Sequence, residues 1–298
     1  MNHTTGWIRC LRRAGIAVVG MAASPLLTHA QAPAAAHYQI DGVRFAGFTG
    51  FPTRELVLHA DSARRSDLAF IVWVLKGEGP GATGHTVLFD AGFYREKFIA
   101  SWKPTNFVRP SEAVAKVSVR PEDVTDIIIS HVHWDHVDGA DLFPTARVWL
   151  QRAEYEHYVD DRGMPRDRGI DTADAAMLAK LNAAGRVHLI DGDAKEVIPG
   201  ITAYTGGRHT YASEYIGVRT AHGTVVLASD NLYMYENLAQ HTPIAATFTR
   251  ADSVSNLRAQ DRMRQLASDP RLILPGHDPD IFTRFPTPGD GVAEVAGP

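Results

Sequence analysis

Cysteine is almost absent from this chain of 298 residues, which contains only Cys10. A disulfide-stabilised fold is therefore excluded, because it requires pairs of cysteines. A metal site built from thiolates is excluded for the same reason, so any metal must be bound by His, Asp and Glu side chains. The chain has 45% hydrophobic and 21% charged residues, a composition that predicts a folded globular protein and excludes intrinsic disorder.

The first thirty residues have the pattern of a secretory signal peptide. Arginines in segment 9–13 precede the mostly apolar segment 14–27, and residues 28–30 offer a small-x-small cleavage site. The apolar segment is too short to span a bilayer, which argues against a membrane anchor. We therefore expect cleavage after residue 30, export to the periplasm or the medium, and a flexible Ala/Pro-rich leader at residues 31–37.

Removal of this segment would make the chain more acidic. It takes away three arginines and no acidic residue, which leaves 27 basic against 34 acidic side chains and a net charge of −7. Because an acidic surface repels phosphate backbones, we expect no nucleic acid partner. No later apolar segment is long enough to cross a bilayer, so we expect no membrane span.

Short apolar segments alternate with helical patterns from Tyr38 onward, which predicts one α/β domain over residues 38–298. The first two predicted strands should pair as a hairpin, and the third, which is wholly apolar, should be covered on both faces. Strands are predicted at residues 71–75, 86–89, 127–129, 147–150, 187–190, 201–205, 215–219, 225–228 and 272–274, and helices at residues 112–116, 153–159, 174–182 and 253–267.

Residues 94–109 are predicted to form a long connection between these elements. The segment contains Phe98, Trp102 and Phe107, which a polar surface loop would not require. These aromatic side chains leave two interpretations open, an ordinary loop or a lid that forms one wall of a pocket.

Segment 131–136 is the strongest functional signal in the chain. Directly after the third predicted strand it places His131, His133, Asp135 and His136. Four side chains packed this closely would desolvate and repel one another without a cation. A metal neutralises the carboxylate and accepts the lone pairs of the imidazoles. The first two can point the same way from an extended segment. The last two cannot join them on one tetrahedral ion, so the spacing predicts two adjacent ions.

Each ion needs further ligands, and three candidates follow later predicted strands. His209 comes after residues 201–205, Asp230 after residues 225–228, and His277 after residues 272–274. Because each lies just beyond an apolar β-rich segment, we expect all three to converge with segment 131–136 at one edge of the sheets.

This set of residues resembles the ligand set of the metallo-β-lactamase fold superfamily. The resemblance extends from about Phe70 to His277 and rests on the motif His131-x-His133-x-Asp135-His136 followed by His209, Asp230 and His277. It implies an αβ/βα sandwich with two mixed sheets covered by helices. It also implies that Asp90, which follows the strand at residues 86–89, orients the metal loop without binding metal.

Within the superfamily, the chain resembles some members more than others. Thiolate-ligated β-lactamases need a cysteine at the position of Asp230, and flavin-dependent diiron reductases carry glutamate at the position of His133, so this chain resembles neither. Tyr233 follows Asp230 by three residues, a spacing similar to that of the N-acyl-homoserine lactonases, in which this tyrosine assists catalysis. Segment 205–209 departs from the usual Thr-Pro-Gly-His by one extra residue, which changes the approach of His209.

The resemblance implies a dinuclear zinc hydrolase that opens a small lactone, such as an N-acyl-homoserine lactone. One zinc would be bound by His131, His133 and His209, and the other by Asp135, His136 and His277. Asp230 and an attacking hydroxide would bridge the two ions. Tyr233 would donate a hydrogen bond to the developing oxyanion, and Asp135 would relay a proton to the leaving alkoxide.

Several alternatives stay open at this point. Tyr233 either acts in catalysis or only packs beside the site, and Trp134 either lines the substrate pocket or only shields the metals. The same dimetal site would also suit a phosphotriesterase-like enzyme or a thioester or other ester hydrolase. A non-catalytic zinc-binding protein and a mononuclear iron dioxygenase are further rivals. Lactonases of this type are often dimers, so a homodimer is a further expectation.

Overall fold

The structure of the protein is a computed structural model, and it describes Gly6 and residues 35–297. The predicted signal peptide, apart from Gly6, and residues 31–34 of the predicted leader lie outside the described residues. Both therefore stay predictions. The first strand begins at His37, one residue before the predicted start of the domain.

The described part of the chain contains twelve strands in two mixed sheets. The first sheet has the order β12-β1-β2-β3-β4-β5-β6 and the second has the order β11-β10-β9-β8-β7. The strands are β1 (His37–Pro52), β2 (Arg65–Glu78), β3 (Thr86–Phe89), β4 (Asp126–Ile128), β5 (Arg147–Gln151), β6 (Val187–Ile190), β7 (Lys195–Ile198), β8 (Ile201–Thr205), β9 (Glu214–Thr220), β10 (Gly223–Leu227), β11 (Ile273–Leu274) and β12 (Val292–Ala296).

Eight α-helices lie among the same described residues. None of them combines the length and the hydrophobicity that a membrane-crossing helix requires. They are α1 (Glu96–Trp102), α2 (Pro110–Ala113), α3 (Trp134–Val137), α4 (Arg152–Tyr158), α5 (Thr172–Ala183), α6 (Tyr235–Gln240), α7 (Arg250–Leu266) and α8 (Ile281–Arg284).

The sheets pack face to face and each is covered by helices on its outer face. Alternate side chains of β2 point to opposite faces of the first sheet. Val72 and Val74 lie in the core beneath α5, whereas Trp73 and Leu75 lie in the core between the sheets. Both faces of this strand are buried, which explains its continuous apolar sequence. On the outer face of the second sheet, Met263 of α7 packs in a third core. This arrangement confirms the predicted αβ/βα sandwich.

Most predicted elements are confirmed, and the predicted hairpin is the antiparallel pair β2–β3. Strands β1, β7 and β12 were not predicted. The prediction for residues 94–109 is wrong in one respect, because seven of them form α1. A tertiary contact stabilises this helix, because Phe98 and Trp102 lie one helical turn apart and both rings pack against Trp134.

Candidate metal centre

All seven predicted side chains lie together at one edge of the sandwich, just past the ends of four strands. β4 leads into the loop that carries two of the histidines, and the short helix α3 follows at once. The side chains are His131 and His133 after β4, Asp135 and His136 in α3, His209 after β8, Asp230 in the 3-10 turn Ser229–Asn231 after β10, and His277 after β11.

The first ligand group consists of His131, His133 and His209. The Nε2 atom of His131 lies 3.0 Å from Nδ1 of His133, and Nε2 of His209 lies 3.1 Å and 2.9 Å from those two atoms. Burial and the neighbouring imidazoles lower the pKa of His131 far below its usual value and that of His133 to about 3. Both rings are therefore neutral at neutral pH and offer lone pairs to a shared point.

The second ligand group consists of Asp135, His136 and His277. The Oδ2 atom of Asp135 lies 3.5 Å from Nε2 of His136 and 3.7 Å from Nε2 of His277. Burial disfavours the charged form of both imidazoles, but nearby carboxylates led by Asp230 outweigh it and raise the pKa of each. The surroundings of this group therefore favour protonated imidazoles, whereas those of the first keep His131 and His133 neutral.

Asp230 lies between the two groups and faces both. Its Oδ2 atom lies 3.2 Å from Nε2 of His209 and 3.6 Å from Nε2 of His131. Its Oδ1 atom lies 2.9 Å from Nε2 of His277 and 3.3 Å from Nε2 of His136. One carboxylate thus presents one oxygen to each group, which is the arrangement that a ligand bridging two ions needs.

The donor set fits a pair of divalent cations. Imidazole nitrogen and carboxylate oxygen are the ligands that zinc accepts where thiolates are missing. Within the described residues, Nε2 of His136 and Oδ1 of Asp230 are buried and make no hydrogen bond. Orphaned polar atoms of this kind are costly unless a cation satisfies them. The ligand roles themselves stay predictions.

Asp90 forms hydrogen bonds with the loops that carry the ligand groups. Its φ of +62° places it in the left-handed region, and its Oδ1 atom accepts a hydrogen bond from the Ser130 amide at 2.8 Å. Its Oδ2 atom accepts from the hydroxyls of Ser130 and Ser229 and from Nδ1 of His136, the last at 2.8 Å. Asp90 thus joins the loops after β3, β4 and β10, as the resemblance implies.

The unusual loop before His209 is explained by two asparagines that the sequence analysis missed. A Cβ atom on Gly206 would lie 1.9 Å from Oδ1 of Asn231, and one on Gly207 would lie 2.4 Å from Cα of Asn256. Only glycine therefore fits at either position, and Asn231 accepts a hydrogen bond from the Gly207 amide at 2.7 Å.

Asn256 lies on the buried face of α7, together with Ala259, Gln260 and Met263. Asn256 donates to the Asn231 carbonyl at 2.9 Å, so a polar residue occupies a core position in order to support the site.

A cavity of about 290 Å³ opens directly onto both ligand groups. Its walls are largely apolar, and they include Phe51, Leu56, Leu68, Phe70, Trp102 and Trp134. A larger cavity of about 720 Å³ is lined by other residues, such as Arg64 and Arg284, and by none of the seven predicted ligands. Cavity size alone therefore does not locate the site.

Trp134 and Tyr233 both line the smaller cavity. The Trp134 ring also stacks on Phe98 at 4.7 Å between centroids, so this side chain both lines the cavity and packs against the aromatic cluster. The hydroxyl of Tyr233 lies 3.4 Å from Nδ1 of His209. Burial, Asp230 and Asp135 raise the pKa of Tyr233 well above its usual value, which keeps the hydroxyl protonated as a donor.

Four other histidines, His157, His188, His222 and His241, lie outside both ligand groups. His222 and His241 are exposed. His157 and His188 are only half-buried, and they stack on Tyr211 and Trp149.

Comparisons with known proteins identify the family. The family model of the metallo-beta-lactamase superfamily matches residues 72–277, which is more than half of the chain. An N-acyl homoserine lactonase from a Bacillus species is 28% identical over 204 residues, which cover 68% of this chain and 74% of that relative.

Solved structures agree on the fold. A quorum-quenching N-acyl homoserine lactone lactonase superposes with a TM-score of 0.66 at 21% identity, over 83% of this chain and 95% of that one. AidC, a dizinc quorum-quenching lactonase, superposes with a TM-score of 0.56 at 12% identity, over 86% and 92%. From the family match we conclude that the chain belongs to the metallo-beta-lactamase superfamily and is a metal-dependent hydrolase.

Proposed function

We propose that the protein is a dinuclear zinc hydrolase that opens the ring of a small lactone, with N-acyl homoserine lactones as the leading substrates. The relatives named above, which are lactonases, support the substrate class. The observation that carries the proposal is the position of the Tyr233 hydroxyl, which lies on the cavity wall 3.4 Å from His209.

The chemistry divides between the ligand groups and the residues around them. Two divalent ions, when bound, lower the pKa of a water molecule, supply a nucleophile near neutral pH and polarise the carbonyl under attack. Tyr233 donates its O–H to the oxygen on which negative charge develops. Asp135 lines the same cavity, so its carboxylate is in position to take up the proton that the nucleophile loses and to pass it to the leaving alkoxide.

The shape of the cavity supports a small substrate with an apolar tail. A volume of about 290 Å³ is at the lower end of the usual range for ligand pockets. The polar residues of its lining are Tyr233, Glu55 and predicted ligands, whereas Phe51, Leu68 and Trp102 offer an apolar surface. Each methylene buried there would contribute about 0.8 kcal/mol to binding, so an acylated lactone fits better than a fully polar one.

The test is Tyr233→Phe, measured on the zinc-loaded protein. Loss of one oxyanion donor typically costs about 10²–10³-fold in turnover, so kcat/KM for an acyl-homoserine lactone should fall by that factor. The panel should also contain γ-lactones, aryl esters, thioesters and phosphotriesters, because a phosphotriesterase would not need this donor. Zinc content should stay near two ions per chain.

Tyr235→Phe is the matched control. Tyr235 lies two residues away, packs in the core between the sheets and does not line the cavity of the metal centre. Its replacement should leave lactone turnover unchanged. Equal lactone turnover in Tyr233→Phe and the wild type would contradict the proposal, as would preferential hydrolysis of another substrate class in the panel.

A further inference from the structure

Glu154 is a buried carboxylate that the proposed chemistry does not use. It belongs to α4, lies behind the first ligand group and is 1% exposed. Its Oε1 atom accepts hydrogen bonds from the Val132 amide at 3.2 Å and from the Thr210 hydroxyl at 2.7 Å. Its Oε2 atom accepts from the Ala212 amide at 2.6 Å. A buried acidic side chain is rare unless it is paired in this way.

The three donors come from the two loops that carry the first ligand group. Val132 lies between His131 and His133, and Thr210 directly follows His209. One carboxylate therefore ties together two segments that are almost eighty residues apart in the sequence. Three hydrogen bonds to a single rigidly held group fix both loops at once.

The second ligand group is held by different contacts. Nδ1 of His136 lies 2.8 Å from Oδ2 of Asp90, and Nδ1 of His277 lies 3.1 Å from the carbonyl oxygen of Ala69. Glu154 makes no hydrogen bond to any of these residues. Asp90 also accepts a hydrogen bond from the Ser130 amide beside His131, whereas the three hydrogen bonds of Glu154 all come from the loops of the first group.

We propose that Glu154 is a positioning residue that sets the affinity of the first ligand group, and not of the second, for its ion. Removing its side chain leaves three buried donors without an acceptor, so both loops must move to recover hydrogen bonds. The three imidazoles then no longer converge. The inference rests on the metal centre of the proposed function but is independent of the substrate.

The experiment is a zinc titration in competition with a chelator, on full-length protein. Glu154→Ala should weaken one of the two binding steps by about 10–100-fold, the usual effect of a residue that orients a ligand, and leave the other step unchanged. Glu154→Gln should lie between Glu154→Ala and the wild type, because the amide oxygen replaces one acceptor whereas its NH₂ group cannot accept. This partial rescue separates positioning from a general loss of stability.

Two background variants assign the weakened step. In His277→Ala the first group remains complete, and Glu154→Ala should weaken its binding by the same factor. In His209→Ala only the second group remains complete, and Glu154→Ala should change nothing. Asp126→Asn is the matched control, because Asp126 is equally buried and lies at the other end of β4, away from both groups.

The possible results are distinguishable. Glu154→Ala weakening both steps, or neither, would overturn the inference, and so would equal weakening by Asp126→Asn. A wild-type protein that binds no zinc would overturn both the inference and the proposed function. Zinc binding with the expected selective loss, but without lactone hydrolysis, would support the role of Glu154 and overturn only the proposed substrate.

Discussion

The two ligand groups lie at the same edge of the sandwich but differ in their electrostatics. In the first, burial among imidazoles lowers the pKa of His131 and His133, so these rings are neutral donors. In the second, carboxylates raise the pKa of His136 and His277 despite burial. The comparison shows that the neighbours of a buried imidazole decide whether its pKa is lowered or raised.

The supports of the two groups differ in the same way. The first group depends on a carboxylate that bonds backbone amides and a hydroxyl in the loops, whereas the second depends on a carboxylate that bonds an imidazole directly. Glu154 therefore controls loop position alone, whereas Asp90 controls the orientation of the His136 ring as well as the position of the Ser130 loop. Substitutions at Asp230, which faces both groups, at Asp90 and at the distant carboxylate of Asp126 should separate these effects.

Asp230→Asn should have the largest effect, because Asp230 is the only one of the seven side chains that faces both groups. The amide keeps the shape but loses the charge, and its nitrogen cannot bind a cation. The affinities for both zinc ions should fall by more than the roughly 10–100-fold expected for a residue that orients a ligand without binding the metal. The measurement is the zinc content of the protein after dialysis against a graded series of chelator concentrations.

Asp278→Asn is the control for that experiment. Asp278 is also buried and adjoins His277, but its carboxylate accepts hydrogen bonds from the Tyr235 and Asp280 amides and does not face either group. It should retain both ions. Loss of only one ion in Asp230→Asn would show that this carboxylate does not bridge.

Asp90→Asn should have a smaller effect that falls mainly on the second group, because Asp90 contacts His136 directly but reaches His131 only through Ser130. Asparagine tolerates the positive φ of Asp90, so the backbone is preserved. His136 can offer its Nε2 lone pair only while Nδ1 carries the hydrogen and donates it to Asp90. An amide nitrogen at that position favours the opposite tautomer, so affinity for one ion should fall by about 10–100-fold.

A zinc titration of Asp90→Asn beside Glu154→Ala tests this directly. In the His209→Ala background, which retains the second group, Asp90→Asn should weaken binding and Glu154→Ala should not. The opposite pattern, or equal losses from both substitutions, would contradict the separation of the two supports.

Local patterns predicted one α/β domain and the gathering of the seven side chains at one edge, whereas the sandwich of two mixed sheets was predicted from the resemblance to the superfamily. The apolar segment before His131 predicted a strand buried on both faces, and each later candidate followed an apolar β-rich segment. Supports such as Glu154 and Asn256 could not be predicted. Each is a polar residue in an ordinary helical pattern, and only the tertiary contact with a distant loop distinguishes it from a surface residue.

Asp126→Asn should have the smallest effect on the metal centre, and its effect on stability should depend on pH. Asp126 is buried at the start of β4, where hydrogen bonds from Arg147, Trp149 and His85 outweigh burial and lower its pKa. Because its pKa is lowered, ionised Asp126 stabilises the fold at pH values above its unfolded-state pKa of about 3.9. This stabilisation is lost as the pH falls through the folded-state pKa.

At pH 7, loss of this acceptor should cost about 1–3 kcal/mol in the free energy of unfolding, because buried donors lose their partner. The difference from wild type should shrink as the pH is lowered below the ordinary pKa of aspartate, because Asp126 then takes up a proton in the unfolded wild-type chain and, at still lower pH, in the folded protein as well. Urea unfolding followed by tryptophan fluorescence at a series of pH values measures this difference. Asp123→Asn, at an exposed carboxylate three residues away that pairs with Arg120, should change the pH dependence of stability much less, because solvent screens that ion pair. A constant difference between Asp126→Asn and wild type down to pH 2 would show that the charge of Asp126 does not stabilise the fold.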